Sequence, residues 1–226
     1  MAPGVSLSLP PYQRIPEAGN DTELIEVSIA ELQPTQWCIG LAEVWARQED
    51  FSKDSREERL DYLKRKPVPL VRSAAGKLWM VDRHHRLRGL QGLDAHASAW
   101  GYVIADLPTS QRQEVLRFLQ QQGWLYLYDG RGQGPRAVEE LPSSLMDLDD
   151  DPYRSLVWKL KKEGAIKPQP QIPYHEFRWG AWLRRRPLPP FSSRRLEPAL
   201  ATARRLVCSP AASDLAGWRG DKRSCR

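Results

Sequence analysis

Apolar residues in this chain alternate between short runs and helical stripes from about residue 23 to residue 186. Glu23 to Ile29, with Leu24, Ile25, Val27 and Ile29 apolar, predicts a first strand. Ala30 to Gln36 reads as a turn or short helical step, and a helix is expected near Leu41–Gln48. Asp54 to Lys66 is charged, with Leu60 and Leu63 facing inward, which predicts an amphipathic helix stopped by Pro67. Pro69-Leu70-Val71-Arg72 and Leu78-Trp79-Met80-Val81 flank Ser73 to Lys77 at a hairpin spacing, with Gly76 in the turn. Leucines at 87, 90 and 93 predict a helix directly after the second of these strands, and Ala99 to Ala105 supplies a third sheet segment.

Further on, Thr109 or Ser110 should cap a helix running to about Gln121, with Val115, Leu116 and Leu119 on one face. Asp151 and Pro152 are an N-cap and a first helical residue, followed by Tyr153, Leu156, Val157 and Leu160 at helical spacing. Another helix is expected from Tyr174 to Arg184. Strands interleaved with helices point to an α/β (α+β) fold, a small mixed sheet followed by packed C-terminal helices. Residues 1–22, rich in Pro, Gly, Ser and Asn, read as a flexible N-terminal arm. Pro187, Pro189 and Pro190 mark the expected end of the body at 186, leaving 187–226 as a basic Pro/Arg-rich tail. Within that tail Leu196–Val207 has helical character but no evident packing partner.

Charge sharpens this division. The chain carries a net +6, yet Arg184 to Arg226 holds eleven Lys/Arg against three acids, while the first 183 residues hold 23 basic and 25 acidic. The body is near neutral, and a solvated basic end is the plainer reading of the tail beside a nucleic-acid contact. No apolar run approaches the ~20 residues that a membrane-crossing helix needs. Cys38, Cys208 and Cys225 fit neither a disulfide framework nor a zinc motif, so a cytoplasmic setting is expected.

The candidate chemistry sits where the apolar run at 78–81 meets the next helix: Asp82-Arg83-His84-His85-Arg86. Asp82 is a good N-cap, which would make Arg83, His84 and His85 the first helical positions. A helix start presents unpaired N–H groups and the positive end of its dipole, so with two arginines and two imidazoles it suits an anion. The alternatives are a metal site with Asp82 as candidate ligand, and a satisfied cap with surface histidines. Asp149-Asp150-Asp151 could supply a metal cluster, but a solvated loop with one cap explains it as well. Trp158, Trp179 and Trp182 could stack bases, but their helical spacing favours core packing. The glycine-rich stretch Asp129 to Gly134 lacks the strand-to-helix context of a nucleotide fingerprint.

Several blocks in order resemble the ParB-like nuclease family: Leu32-Gln33-Pro34-Thr35-Gln36, Pro67-Val68-Pro69-Leu70-Val71, Val81 to Arg86, Asp151 to Trp158, and His175-Glu176-Phe177-Arg178-Trp179. The resemblance spans roughly residues 23–186 and implies a ParB/sulfiredoxin-like core. In that superfamily the strand–helix joint binds nucleotide phosphates, and the chemistry ranges over CTP hydrolysis, ATP-dependent phosphorylation and free serine phosphorylation. The resemblance therefore implies phosphoryl transfer or phosphodiester hydrolysis, a nucleotide or nucleic acid as partner, and a Mg2+ ion accompanying a nucleotide. His84, His85 and Asp82 would be the catalytic residues, Arg83 and Arg86 the phosphate binders, and Gln36 and Arg154 substrate contacts or supports. Where such motifs commonly have glycine this chain has Arg83, and where the serine kinase relative places a glutamate base it has Gln36, whose amide cannot abstract a proton. A non-catalytic nucleotide- or DNA-binding module and a free amino acid kinase are the alternative functions.

Overall fold

The computed structural model describes residues 11–220. Its strands are β1 (Ile25–Ser28), β2 (Cys38–Ile39), β3 (Val68–Ser73), β4 (Leu78–Met80), β5 (Ser98–Leu107) and β6 (Asp149–Asp150). Its helices are α1 (Leu41–Lys53), α2 (Arg56–Arg65), α3 (His84–Gln91), α4 (Arg112–Gln121), α5 (Pro152–Lys162), α6 (His175–Arg184) and α7 (Glu197–Cys208). Four strands form a mixed sheet in the order β1-β5-β3-β4. β5 runs antiparallel to β1 and parallel to β3, and β3–β4 is the expected hairpin, with Gly76 in the left-handed region at its turn. β2 and β6 make a short parallel pair apart from that sheet.

The sheet buries both faces. On one, Val27, Leu70 and Met80 meet Val44 and Phe51 of α1, Leu63 of α2, and Leu87 and Leu90 of α3. On the other, Val71, Trp79 and Val81 meet Val115, Leu116 and Leu119 of α4, with Trp124 and Leu125 beyond. Burial on both faces explains why β3 and β4 read as continuous apolar runs rather than as alternating ones. α3 lies close against α1 because Gly89 has no side chain: a Cβ there would stand 3.0 Å from the Val44 carbonyl oxygen. This approach sets the start of α3 beside the start of α1. Leu93, expected on the buried face of α3, lies past the helix end and is 40% exposed.

The expected boundary at 187 does not hold. α7 packs on α5 and α6, with Leu196, Ala199, Ala203 and Val207 buried beside Leu156, Leu160, Trp179 and Leu183. Small residues at i, i+4 and i+8 give α7 a flat face, and α5 and α6 supply the apolar partner. The basic residues here also take part in packing: Arg204 pairs with Glu163, and the Arg194 guanidinium lies 4.5 Å from the centre of the Trp45 ring. Residues 1–10 and 221–226 lie outside the described residues. The rest of the presumed flexible arm, from residue 11, is held to the body. Gln13 N–H donates to Gln122 O (2.8 Å), Trp124 Nε1 to Gln13 O (2.9 Å) and Tyr102 OH to Pro16 O (2.7 Å). Cys38 is a buried free thiol. Among the described residues no helix is long and apolar enough to cross a membrane.

If α7 belongs to the core, Ala203→Asp should cost about 3 kcal/mol, a fall in Tm of about 10 °C, because an unpaired carboxylate enters an apolar contact. A thermal melt indistinguishable from that of the parent would place α7 outside the core.

Candidate functional site

The joint after β4 differs from the expected geometry by one residue. Arg83, not Asp82, is the N-cap of α3, with φ 77° and ψ 11° in the left-handed region. Asp82 turns back on its neighbour: Oδ1 accepts from Arg83 N–H at 2.6 Å, and Oδ2 pairs with Arg83 Nη1 at 2.8 Å. No side chain caps the first turn of α3, so its leading N–H groups are left for water or a ligand. A left-handed residue at this position suits glycine, which accounts for the glycine common in motifs of this kind. Arg83 occupies it at a cost of about 1 kcal/mol.

The two histidines face different neighbours. His84 is buried, and its Nε2 accepts from Thr35 N–H at 3.2 Å, while Thr35 Oγ1 donates to Met80 O at 2.8 Å. His85 Nε2 accepts from Gly40 N–H at 3.1 Å, at the start of α1. A backbone N–H can only donate. Both Nε2 atoms therefore carry lone pairs, and each neutral ring holds its proton on Nδ1. Burial pushes the pKa of His84 down to about 3. Burial, reinforced by Arg154, also holds His85 well below its ordinary value. The rings that the sequence offers as acid/base groups thus use their Nε2 lone pairs to hold the 35–40 segment against α3.

Around this joint lies a cavity of about 200 Å3, walled by residues 81–86, by α1, by α5 and by the start of α6. Five cations line it (Arg47, Arg83, Arg86, Arg154 and Lys161) against three acids (Glu43, Asp82 and Glu176). Arg154 is the deepest, its side chain 5% exposed. Its Nη2 donates to Glu43 Oε2 at 2.8 Å and lies 3.9 Å from Glu176 Oε2. Lys161 also pairs with Glu176. Burial alone would raise the Glu176 pKa, but Arg154 and Lys161 outweigh it and bring it down to about 2. Burial likewise opposes the charge on Arg154, and Glu176 and Glu43 overcome that opposition. Even so, Arg154 Nε and Nη1, Arg83 Nε and Arg86 Nε are buried without a hydrogen-bond partner.

The other expected residues are placed as follows. Gln36 is buried at the cavity wall, its Nε2 donating to Cys38 O at 2.8 Å. Arg86 Nη1 donates to Lys66 O at 2.8 Å, and its guanidinium lies 5.0 Å from the centre of the Tyr62 ring. The acidic run lies elsewhere. Asp151 Oδ1 caps α5 through Tyr153 and Arg154 N–H and pairs with Arg184 at 2.7 Å. Asp150 accepts from Leu41 N–H and from Ser193 Oγ. Among the described residues no three His, Cys, Asp or Glu gather as a metal site. Glu43, Arg47 and Lys161 escaped the reading of the sequence. Their only signal was charge recurring at helical spacing within stretches that also carry apolar positions.

The unfolded chain protonates His84 near pH 6.5, and the folded chain only near pH 3. The stability gained by keeping the ring neutral is complete above pH 6.5 and declines as the pH falls towards 3. His84→Gln keeps an acceptor near Nε2 but cannot titrate, so denaturant melts at pH 7 and pH 5 should show the parent losing about 2 kcal/mol more than the variant. Equal losses would mean that His84 protonates freely in the fold.

The family described as "Putative ParB-like nuclease" matches residues 25–185. The crystal structure of a protein from Agrobacterium tumefaciens superposes with a TM-score of 0.77 at 27% sequence identity, covering 88% of this chain and 98% of that one. No protein of curated function matches the chain. With the greater part of its length, the strand–helix joint included, inside the family match, this chain belongs to the ParB-like nuclease family.

Proposed function

We propose that the cavity at the Asp82–Arg86 joint holds a phosphate group of a nucleotide or of a nucleic-acid strand, and that phosphoryl transfer or phosphodiester hydrolysis takes place there. The observation that carries this reading is Arg154, an ionised guanidinium buried at the cavity wall with two nitrogens, Nε and Nη1, that meet no protein acceptor. A buried unsatisfied donor costs about 1–3 kcal/mol, and more for a charged group, so such donors are kept where a ligand supplies the acceptor. Arg83 and Arg86 add further donors, and the uncapped start of α3 adds backbone N–H groups and a favourable dipole. In this reading Arg83, Arg86 and Arg154 hold phosphate oxygens, and charge that develops on them in the transition state meets donors already in place. Asp82 is the acid/base group: its side chain is 41% exposed and held by its neighbour Arg83, whereas the two histidine Nε2 atoms are bound to backbone N–H groups of other segments.

Occupied histidines favour a second reading, phosphate binding without turnover. The two separate on one variant. Asp82→Asn should keep nucleotide binding in either case, but should abolish hydrolysis of bound nucleotide or cleavage of a single-stranded oligonucleotide only if the site is catalytic. Sequence-independent DNA contact through the basic segment is the weaker possibility, because Arg194 and Arg204 already pack against the body.

Thermal shift with CTP, ATP and ADP, with and without Mg2+, tests binding directly. Arg86→Ala should weaken binding on the order of ten-fold through the loss of a charge-assisted contact. Arg83→Gly gives a sharper signature. It removes both the cation and the left-handed strain, so stability should hold or rise by up to about 1 kcal/mol while nucleotide affinity falls. Undiminished affinity in both variants would remove the joint from the binding site.

A further inference from the structure

A second groove, of about 320 Å3, shares Glu43, Arg47, Lys161 and Pro168 with the cavity and continues to Ala46, Asp50, Trp158 and Lys162. It is the seam between α1 and α5. On α5, Arg154, Trp158 and Lys161 stand at i, i+4 and i+7, so they share one face with Trp158 a single turn beyond Arg154. On α1, Glu43, Arg47 and Asp50 repeat the same spacing opposite. Core packing, the expectation for Trp158, does not describe this residue. It is half-buried and joins none of the hydrophobic clusters, whereas Trp179 is fully buried within one. Lys162 Nζ lies over its ring, 5.4 Å from the ring centre.

We infer that Trp158 is the platform on which the base of a nucleotide stacks while its phosphate lies against Arg154, a subsite that rests on the phosphate reading given above. Three features select a base rather than a second phosphate. Trp158, a large and half-buried aromatic, lines an open groove continuous with the phosphate cavity, which is how sequence-tolerant stacking sites are built. On the wall opposite Trp158, Glu43 at 3.5 Å and Asp50 at 3.8 Å pair with Arg47, and their carboxylate oxygens can accept hydrogen bonds from hydroxyl and amino groups. Finally, Ala46 leaves the groove open where a larger side chain would fill it. The ligand class that follows is a nucleotide or the end of a single strand, not a bare sugar phosphate or inorganic anion.

Titration calorimetry with CTP, ATP and inorganic tripolyphosphate tests the subsite. The parent should bind both nucleotides more tightly than tripolyphosphate. Trp158→Leu should lower nucleotide affinity on the order of ten-fold, the loss of one stacked base, and leave tripolyphosphate affinity unchanged. Trp158→Phe should retain most of the nucleotide affinity. Ala46→Leu, which fills the groove from the other helix without touching Trp158, should reproduce the Trp158→Leu pattern and serves alone if that variant fails to fold. Equal parental affinity for all three ligands, or an equal loss for all three in the variants, would overturn the stacking site and leave the phosphate cavity standing. Absence of binding by all three to the parent would remove the phosphate reading and this subsite with it.

Discussion

The placement of Arg154 between Glu43 and Glu176 is the interaction on which the rest of the site depends. It ties α5 to α1 and to α6 at one buried point, where a lone charge could not be sustained. Losing both carboxylates would leave an unpaired guanidinium in a low-dielectric setting, and breaking a buried pair typically costs about 3–5 kcal/mol. Lys161 completes a cluster of two cations and two anions, so the helical layer carries charge in balance. The net positive character of the cavity comes from what surrounds that balanced cluster, namely Arg83 and Arg86 from the joint and Arg47 from α1.

Much of this architecture was legible in the sequence, because β3, β4, α3, α5 and α6 each have an unbroken apolar pattern and an identifiable start or stop. The Pro152 start of α5 and the leucine spacing of α3 are local signals, and local signals survive folding. What escaped was contact between distant segments. Glu43 and Arg154 lie 111 positions apart, and neither differs in sequence from a surface residue on an amphipathic helix. The same limit hid the packing of α7: Ala199, Ala203 and Val207 are too small to look like a core until α5 and α6 lie opposite. The cap moved by one residue for another reason. Arg83 takes a conformation that its identity disfavours, so a reading by residue preference assigns the cap to Asp82.

His84 and His85 have a structural part that their residue type does not announce. The imidazoles sit at the cavity wall, and each takes a backbone N–H on Nε2 and so links two chain segments. Rings fixed in this way hold α3 against the Thr35 and Gly40 turns and thereby keep Arg83 and Arg86 around one opening. Orientation of charged donors by neutral struts is a means of preorganisation, and it requires nothing of the strut except a fixed tautomer.

The displaced ionisations have a consequence for the energetics of any phosphate ligand. Glu176 has moved to about 2 and His84 to about 3, and His85 is held well below its usual range, so across neutral pH these cavity walls behave as a receptor of constant charge. A terminal phosphate, in contrast, undergoes its second ionisation near pH 6. Proton uptake or release on association would then originate in the ligand, and the pH profile of recognition would follow whichever ester or anhydride is bound, changing with the chemistry of the guest while the host stays the same.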